Sequence, residues 1–82
     1  AGEQAGVALR SAFETLTPRE RQVLAFVIAG LMNKQIAAEL NLSEVTVKVH
    51  RGQMMKKLGA RSVADLVRMA EALGVEPLRR MV

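Results

Sequence analysis

Basic side chains are concentrated in the middle of this 82-residue chain, whose net charge is +4. The basic and acidic residues balance in 1–33, and they balance again in 62–82. A local excess of ammonium and guanidinium groups favours a polyanion as partner, with a merely solvated surface as the simpler alternative. The segment that holds all the excess contains Lys34, Lys48, Arg51, Lys56, Lys57 and Arg61 against Glu39 and Glu44.

The sequence contains few residues that could act in catalysis or bind a metal ion. There is one histidine, His50, no cysteine, no glycine-rich phosphate loop and no HExxH-type pair. His50 shares helical spacing with Val47 and Met54, which favours a structural histidine over a general base. We therefore expect no enzyme, no metal ion and no cofactor.

The composition favours a small all-α domain. Half of the residues are apolar, but the only aromatic ones are Phe13 and Phe26, so aliphatic side chains must form the core. No run of 18 apolar residues is present, which argues against a membrane-spanning segment. The chain starts without Met or a secretory pattern, so we expect it to be part of a longer protein with another domain upstream.

Start and stop signals predict four helices. The first begins with a capping box of Thr17 and Glu20 around Pro18, and Gly30 can close it. The other three are each expected to begin at a polar cap and to end at asparagine or glycine: Asn33 to Asn41, Ser43 to Gly59, and Ser62, with Asp65, to Gly74.

Segment 43–59 carries two competing patterns. Its valines alternate with polar residues at first, as in a half-buried strand. A helical stripe with spacings of three and four residues runs further, through Val47, His50, Met54 and Leu58. Because the alternation stops after His50 whereas the stripe continues, we predict a helix over 44–58.

A short helix, 33–40, joined by a tight turn to this longer basic helix is typical of a helix-turn-helix. If the stripe packs inward, the opposite face has the shape and polarity to enter the major groove of DNA. That face consists of Val45, Lys48, Val49, Gly52 and Lys56.

Residue type suggests a role for each position on this face. Lys48 suits a guanine edge or a phosphate, Val49 a thymine methyl, and Gln53 an adenine edge, while Gly52 allows close approach of the backbone. Phosphate contacts are expected around them, from Asn33, Lys34, Thr46, Arg51, Lys56, Lys57 and Arg61.

Structural alternatives exist for several of these residues. Lys56 and Lys57 would also complement the C-terminal end of the helix dipole. Val45 would instead pack on a neighbouring helix, and Gly52 would instead be a contact between two helices.

Residues 16–70 closely resemble the LuxR/FixJ/NarL-type DNA-binding domain. The stretches "LTPRERQVL", "GLMNKQIA" and "VKVH" carry the resemblance, and "VHR" with "ARSVADLVRMA" is most similar to the FixJ branch of two-component response regulators. Region 4 of sigma factors shares the first stretch, but the other two fit it less well.

The resemblance implies a four-helix domain whose third helix reads the major groove and whose fourth pairs two copies. Lys48 and Val49 match base-contacting positions of the family. Related domains often carry a long polar or basic side chain where this chain has Gly52, so readout there must differ. Backbone-contacting positions are matched by Asn33, Lys34, Thr46 and Lys57, and dimerisation is expected from Ala64, Val67 and Arg68.

These observations together predict a small four-helix bundle with three parts. Residues 1–15 are an interdomain linker or a short extra helix, 16–75 the helix-turn-helix domain, and 76–82 a loose tail. The expected function is that of a DNA-binding output domain of a bacterial, cytoplasmic transcriptional regulator, homodimeric on double-stranded DNA. An upstream receiver domain and RNA polymerase are its further expected partners.

Three alternatives remain open at this point. The basic helix would instead dock on an acidic protein in an adaptor, or the domain would belong to a quorum-sensing-type regulator. A membrane-surface peptide is the least suitable, because it would leave three further capped helices unexplained.

Overall fold

A computed structural model describes residues 2–78, with side chains from residue 6 onward. This span contains five α-helices. No strand occurs in this span, so the predicted all-α class and the helical interpretation of 44–58 are both confirmed. The helices are α1 (Gly2–Glu14), α2 (Pro18–Ile28), α3 (Asn33–Leu40), α4 (Glu44–Leu58) and α5 (Val63–Leu73).

The predicted caps form at the start of α2 and at both ends of α4. Thr17 Oγ1 accepts from the Glu20 amide at 3.1 Å, and Glu20 Oε1 accepts from the Thr17 amide at 2.9 Å. Ser43 Oγ accepts from the Thr46 amide at 3.1 Å. Gly59 ends α4 with a φ of +74°, a left-handed conformation that costs glycine little. The ends of the longest helix are therefore fixed by local chemistry.

The start of α3 differs from the prediction. Met32, not Asn33, is the capping residue, and Gln35 Oε1 accepts from the Met32 amide at 2.8 Å. Asn33 is the first helical residue, and its side-chain oxygen is used by Arg51 instead. Asn41 ends α3 in the left-handed region, with a φ of 56°, as predicted.

One aliphatic core joins α2, α3, α4 and α5. Helix α4 packs chiefly on α2 and α3, which makes it the most extensively anchored element. The buried apolar residues are Leu16, Val23, Leu24, Phe26, Val27, Ile36, Ala37, Val47, Met54, Leu58, Leu66 and Ala70.

Helix α1 also packs on the domain and contacts α4 and α5. Leu9, Ala12 and Phe13 lie against the core, and the Arg21 guanidinium stacks 4.4 Å from the centre of the Phe13 ring. At the other end, the Leu78 amide donates to the Ala25 carbonyl at 3.0 Å. The predicted loose tail is thus attached to α2 as far as residue 78, and 79–82 lie outside the described residues.

Across the described span, every helix is too short or too polar to cross a lipid bilayer.

Candidate nucleic-acid interface

Helix α4 is held to the domain by one stripe of side chains. Val47 and Met54 have no exposed surface, Leu58 is buried, and His50 is half-buried between them. The four residues predicted to face inward therefore do so, with His50 at the margin. The opposite side of α4 is left to solvent.

The outward face of α4 carries every residue predicted to contact bases. Lys48, Val49, Gly52 and Gln53 are exposed, and so is the neighbouring Val45. Val45 is 71% and Val49 51% exposed, so this face of α4 carries apolar surface that no other part of the described chain covers. A Cβ at Gly52 would have no atom within 4 Å. Neither Val45 nor Gly52 therefore has the packing role considered as an alternative.

The N-terminal end of this face is ordered by hydroxyl groups. Thr46 is half-buried, and its Oγ1 lies 2.9 Å from Ser43 Oγ, within the same cap that starts α4. A hydroxyl can donate and accept at once, so Thr46 keeps capacity for one more hydrogen bond.

A side-chain hydrogen bond ties the first residue of α3 to the middle of α4. Arg51 Nη1 donates to Asn33 Oδ1 at 2.8 Å, and both residues are half-buried. A guanidinium has five N–H groups and an amide has two, so donors remain on both side chains after this bond. Two residues predicted to bind phosphate are thus brought together in space although 18 positions separate them.

Three of the predicted phosphate-binding cations are exposed on or beside the face of α4. Lys34 lies in the first turn of α3, Lys56 in the last turn of α4, and Arg61 in the loop before α5. The two ion pairs found among the described residues involve none of them. They give the surface around α4 its positive charge.

Lys57, the remaining predicted phosphate contact, lies in an internal ion pair. Its Nζ is 2.7 Å from Glu20 Oε1 and 3.3 Å from the Thr15 carbonyl oxygen. The Glu20 side chain is 2% exposed and that of Lys57 33%. The last turn of α4 is therefore tied to the first turn of α2 and to the turn before it.

Hydrogen bonds outweigh burial at Glu20. Burial alone would raise its pKa, but the bonds from Lys57 and Thr17 and the charge of Lys57 together lower the pKa below its ordinary value. Glu20 is thus a buried, ionised carboxylate.

The Glu20–Lys57 pair was not predicted from the sequence, although a signal for it was present. Glu20 lies four residues after Leu16 and four before Leu24, within the buried stripe of α2. An acidic residue at a core-facing position requires a cation, and sequence spacing alone does not reveal that Lys57 supplies it.

The residues predicted to form a dimer interface lie on α5. Ala64 and Arg68 are exposed and Val67 is half-buried, while Arg68 forms an ion pair with Asp65 one turn earlier. Ser62 Oγ accepts from the Asp65 amide at 3.1 Å, which is the predicted cap of α5. The Asp65 side chain accepts in return from the Arg61 amide at 3.1 Å.

Among the described residues, no three or more histidine, cysteine, aspartate or glutamate side chains lie close enough to one another to hold a metal ion.

These features define the class of the protein. Helices α3 and α4, joined by a short turn, form a helix-turn-helix whose second helix presents an exposed, positively charged face. The chain belongs to the luxR family of bacterial regulatory proteins, whose model matches residues 14–70.

Curated relatives are response regulators and similar proteins. Nodulation protein W of Bradyrhizobium diazoefficiens is 63% identical over 67 residues, which cover 82% of this chain and 30% of that protein. The transcriptional regulatory protein FixJ of Rhizobium meliloti is 52% identical over 69 residues, which cover 84% of this chain and 34% of FixJ. The chain spans about a third of the length of these relatives.

Solved structures of related regulators also superpose on this chain. The response regulator StyR superposes with a TM-score of 0.82 at 53% identity, over 85% of this chain and 35% of StyR. Full-length FixJ from B. japonicum superposes with a TM-score of 0.73 at 38% identity, over 89% of this chain and 37% of FixJ. The predicted resemblance to FixJ-type regulators is confirmed.

Proposed function

We propose that this chain is the sequence-specific DNA-binding output domain of a bacterial response regulator, with α4 as its recognition helix. In this proposal Lys48, Val49, Gly52 and Gln53 contact base edges in the major groove. The surrounding polar and basic residues assigned from the sequence hold the sugar-phosphate backbone, apart from Lys57, which is paired with Glu20.

The observation that carries the proposal is the exposure of Val49 beside Lys48. An exposed valine on a well-anchored helix buries apolar surface only when a partner arrives. A thymine methyl next to a guanine edge offers Val49 an apolar contact and Lys48 two acceptors. The cations around this face match the phosphates on either side of a groove.

Partners beyond DNA follow from the class of the relatives. We propose that two copies bind one DNA site through α5 and that an upstream receiver domain controls this pairing. RNA polymerase is a further proposed partner, and the bacterial cytoplasm is the proposed location. We assign no catalytic activity, because the family is one of regulators and His50 packs between Val47 and Met54.

An adaptor that docks α4 on an acidic protein is the second candidate, and the positive charge around α4 is the observation that favours it. An acidic protein would also cover the exposed valine, and the match to a family of bacterial regulatory proteins is what favours DNA over the adaptor. A quorum-sensing-type regulator would share the DNA-binding domain and differ in what lies upstream.

Selection of bound duplexes from a random pool tests the proposal directly. We expect one enriched half-site, and repeats of it about one helical turn apart if two copies bind. The affinity for the selected duplex should fall steeply with salt, with a log–log slope of about −5 for five to six neutralised phosphates. A pool without enrichment, together with a slope near zero, would refute DNA binding and favour the adaptor.

A further inference from the structure

The ion pair between Glu20 and Lys57 places a constraint on how DNA can use Lys57. An ammonium group has three N–H donors, and Lys57 directs two of them to Glu20 and to the Thr15 carbonyl. One N–H donor and a third of the side-chain surface remain open, but a phosphate would share the charge of Lys57 with a carboxylate. If Lys57 moved to DNA, Glu20 would remain ionised and buried without its cation, which is strongly unfavourable.

The position of the pair in the fold suggests what it does instead. Apart from its buried stripe, helix α4 is bonded to α3 near its middle, where Arg51 donates to Asn33. The bonds of Lys57 fix its last turn against the start of α2. These attachments lie at the middle and at the end of α4, so together with the buried stripe they define its tilt relative to α2 and α3.

We propose that Lys57 is a positioning residue that holds the recognition helix at its working angle through Glu20, and that it is not a phosphate contact. This proposal depends on the proposed function, because it concerns how α4 meets DNA. It assigns a part in DNA binding to Glu20, an acid that is buried within the domain.

Lys56 provides a matched control for Lys57. It is the adjacent residue of α4, carries the same charge and is exposed, whereas Lys57 is engaged with Glu20. Lys56→Met and Lys57→Met remove one positive charge each and keep an aliphatic stem of similar length. They should differ in the salt dependence of binding, because only a group that neutralises a phosphate releases counterions.

The test measures the affinity of the 82-residue chain for the selected duplex and for a random-sequence duplex across a range of salt concentrations. Lys56→Met should reduce the magnitude of the log–log slope by about 0.9. Lys57→Met should leave the slope unchanged and weaken binding to the selected duplex. The expected loss is about 5- to 150-fold, the equivalent of one well-formed base contact. Binding to the random duplex should change less, since base contacts are what a tilted helix loses.

For Glu20→Gln, the two possible roles of Lys57 predict changes in DNA affinity of opposite sign. Gln retains the hydrogen bond of the capping box, so the start of α2 is preserved. If Lys57 binds phosphate, removal of the nearby negative charge releases it and affinity rises. If Lys57 positions α4, the weakened attachment lowers the affinity for the selected duplex, again with an unchanged slope.

Circular dichroism at the assay temperature establishes which variants are folded, and Glu20→Gln alone decides if Lys57→Met is unfolded. A smaller slope or an unchanged affinity in Lys57→Met overturns the proposal, and so does tighter binding by Glu20→Gln. Absence of duplex binding by the unmodified chain refutes the proposed function itself and is seen before any variant is compared.

Discussion

Neighbouring valines of α4 have opposite environments. Val47 has no exposed surface, whereas Val49, two residues later, is 51% exposed. A helix turns by about 100° per residue, so two positions apart lie on nearly opposite sides. The strand-like alternation of this segment therefore arises from a helix that has one valine in the core and two on its exposed face.

Lys48 and Val49 are expected to supply discrimination between bases. Lys48→Ala or Val49→Ala should cost about 1–3 kcal/mol on the selected duplex and blur its preferred sequence. Arg10→Ala, an exposed charge on α1, is the control for the loss of one cation. Competition binding with single-base variants of the site measures both effects. If Lys48→Ala and Val49→Ala leave duplex binding untouched, the adaptor is the better hypothesis.

Glu20 should make the stability of the domain depend on pH. Its pKa is lowered in the folded chain, so the unfolded state binds the proton more readily. The stabilisation is complete above the unfolded value of about 4.3 and is lost as the pH falls through the folded pKa. Urea unfolding at a series of pH values between neutral and strongly acidic measures this loss.

Glu20→Gln and Lys57→Met are the variants that check this assignment. Glu20→Gln should lose this component of the pH dependence, because no proton binds at that position. Lys57→Met should reduce it, because burial then opposes the remaining hydrogen bonds from Thr17. A pH dependence equal to that of the unmodified chain in Glu20→Gln would contradict the assignment.

At the level of elements, α4 contains a residue that weakens it. Gly52 lies in the middle of the helix with a helical backbone and no neighbour that a side chain would meet. Packing within the chain therefore does not account for a glycine here. Close approach to DNA is the reason we propose for its presence.

Gly52→Ala is expected to separate stability from binding. Alanine should stabilise α4 by about 0.5–1 kcal/mol. The midpoint of thermal unfolding, Tm, should then rise by a few degrees, since about 1 kcal/mol shifts Tm by roughly 4–8 °C in a domain of this size. The affinity for the selected duplex should fall, because a methyl group then stands between the backbone and the bases. A higher Tm with unchanged affinity would exclude a close approach at this position.

At the level of the whole molecule, two faces are left for partners. The face of α4 is opposite the core, and α5 presents Ala64, Val67 and Arg68 at a separate surface. A two-fold pair of copies would use the same patch of α5 on both chains, as closed dimers do. The DNA site would then have two half-sites in matching symmetry.

The variant Ala64→Glu tests the proposal that α5 pairs two copies. A carboxylate on each copy would place like charges at the two-fold axis and disfavour pairing. Binding to a duplex with two half-sites should weaken, while binding to a single half-site should change little. Glu71→Gln, an exposed position further along α5, is the control for altered charge on this helix. Equal losses on both duplexes would remove α5 from the proposed interface.

Local chemistry made most of the fold predictable. The boundaries of α2 and α4 follow from Thr17, Ser43 and Gly59, whose side chains or conformational freedom act within one turn of the residue itself. The inward stripe of α4 follows from helical spacing. The cap of α3 was assigned wrongly to Asn33, because Gln35 satisfies the Met32 amide while Arg51 occupies the oxygen of Asn33.

The sequence by itself determined the class, the helix-turn-helix and the outward face of α4, because each depends on interactions between residues that are close in the chain. Only the tertiary structure decided which cations are engaged within the domain. Glu20 and Lys57 are 37 positions apart, and Asn33 and Arg51 are 18 apart. Whether a lysine meets a buried carboxylate or solvent is settled when α2 and α4 pack, because residue spacing carries no information about contacts between separate helices.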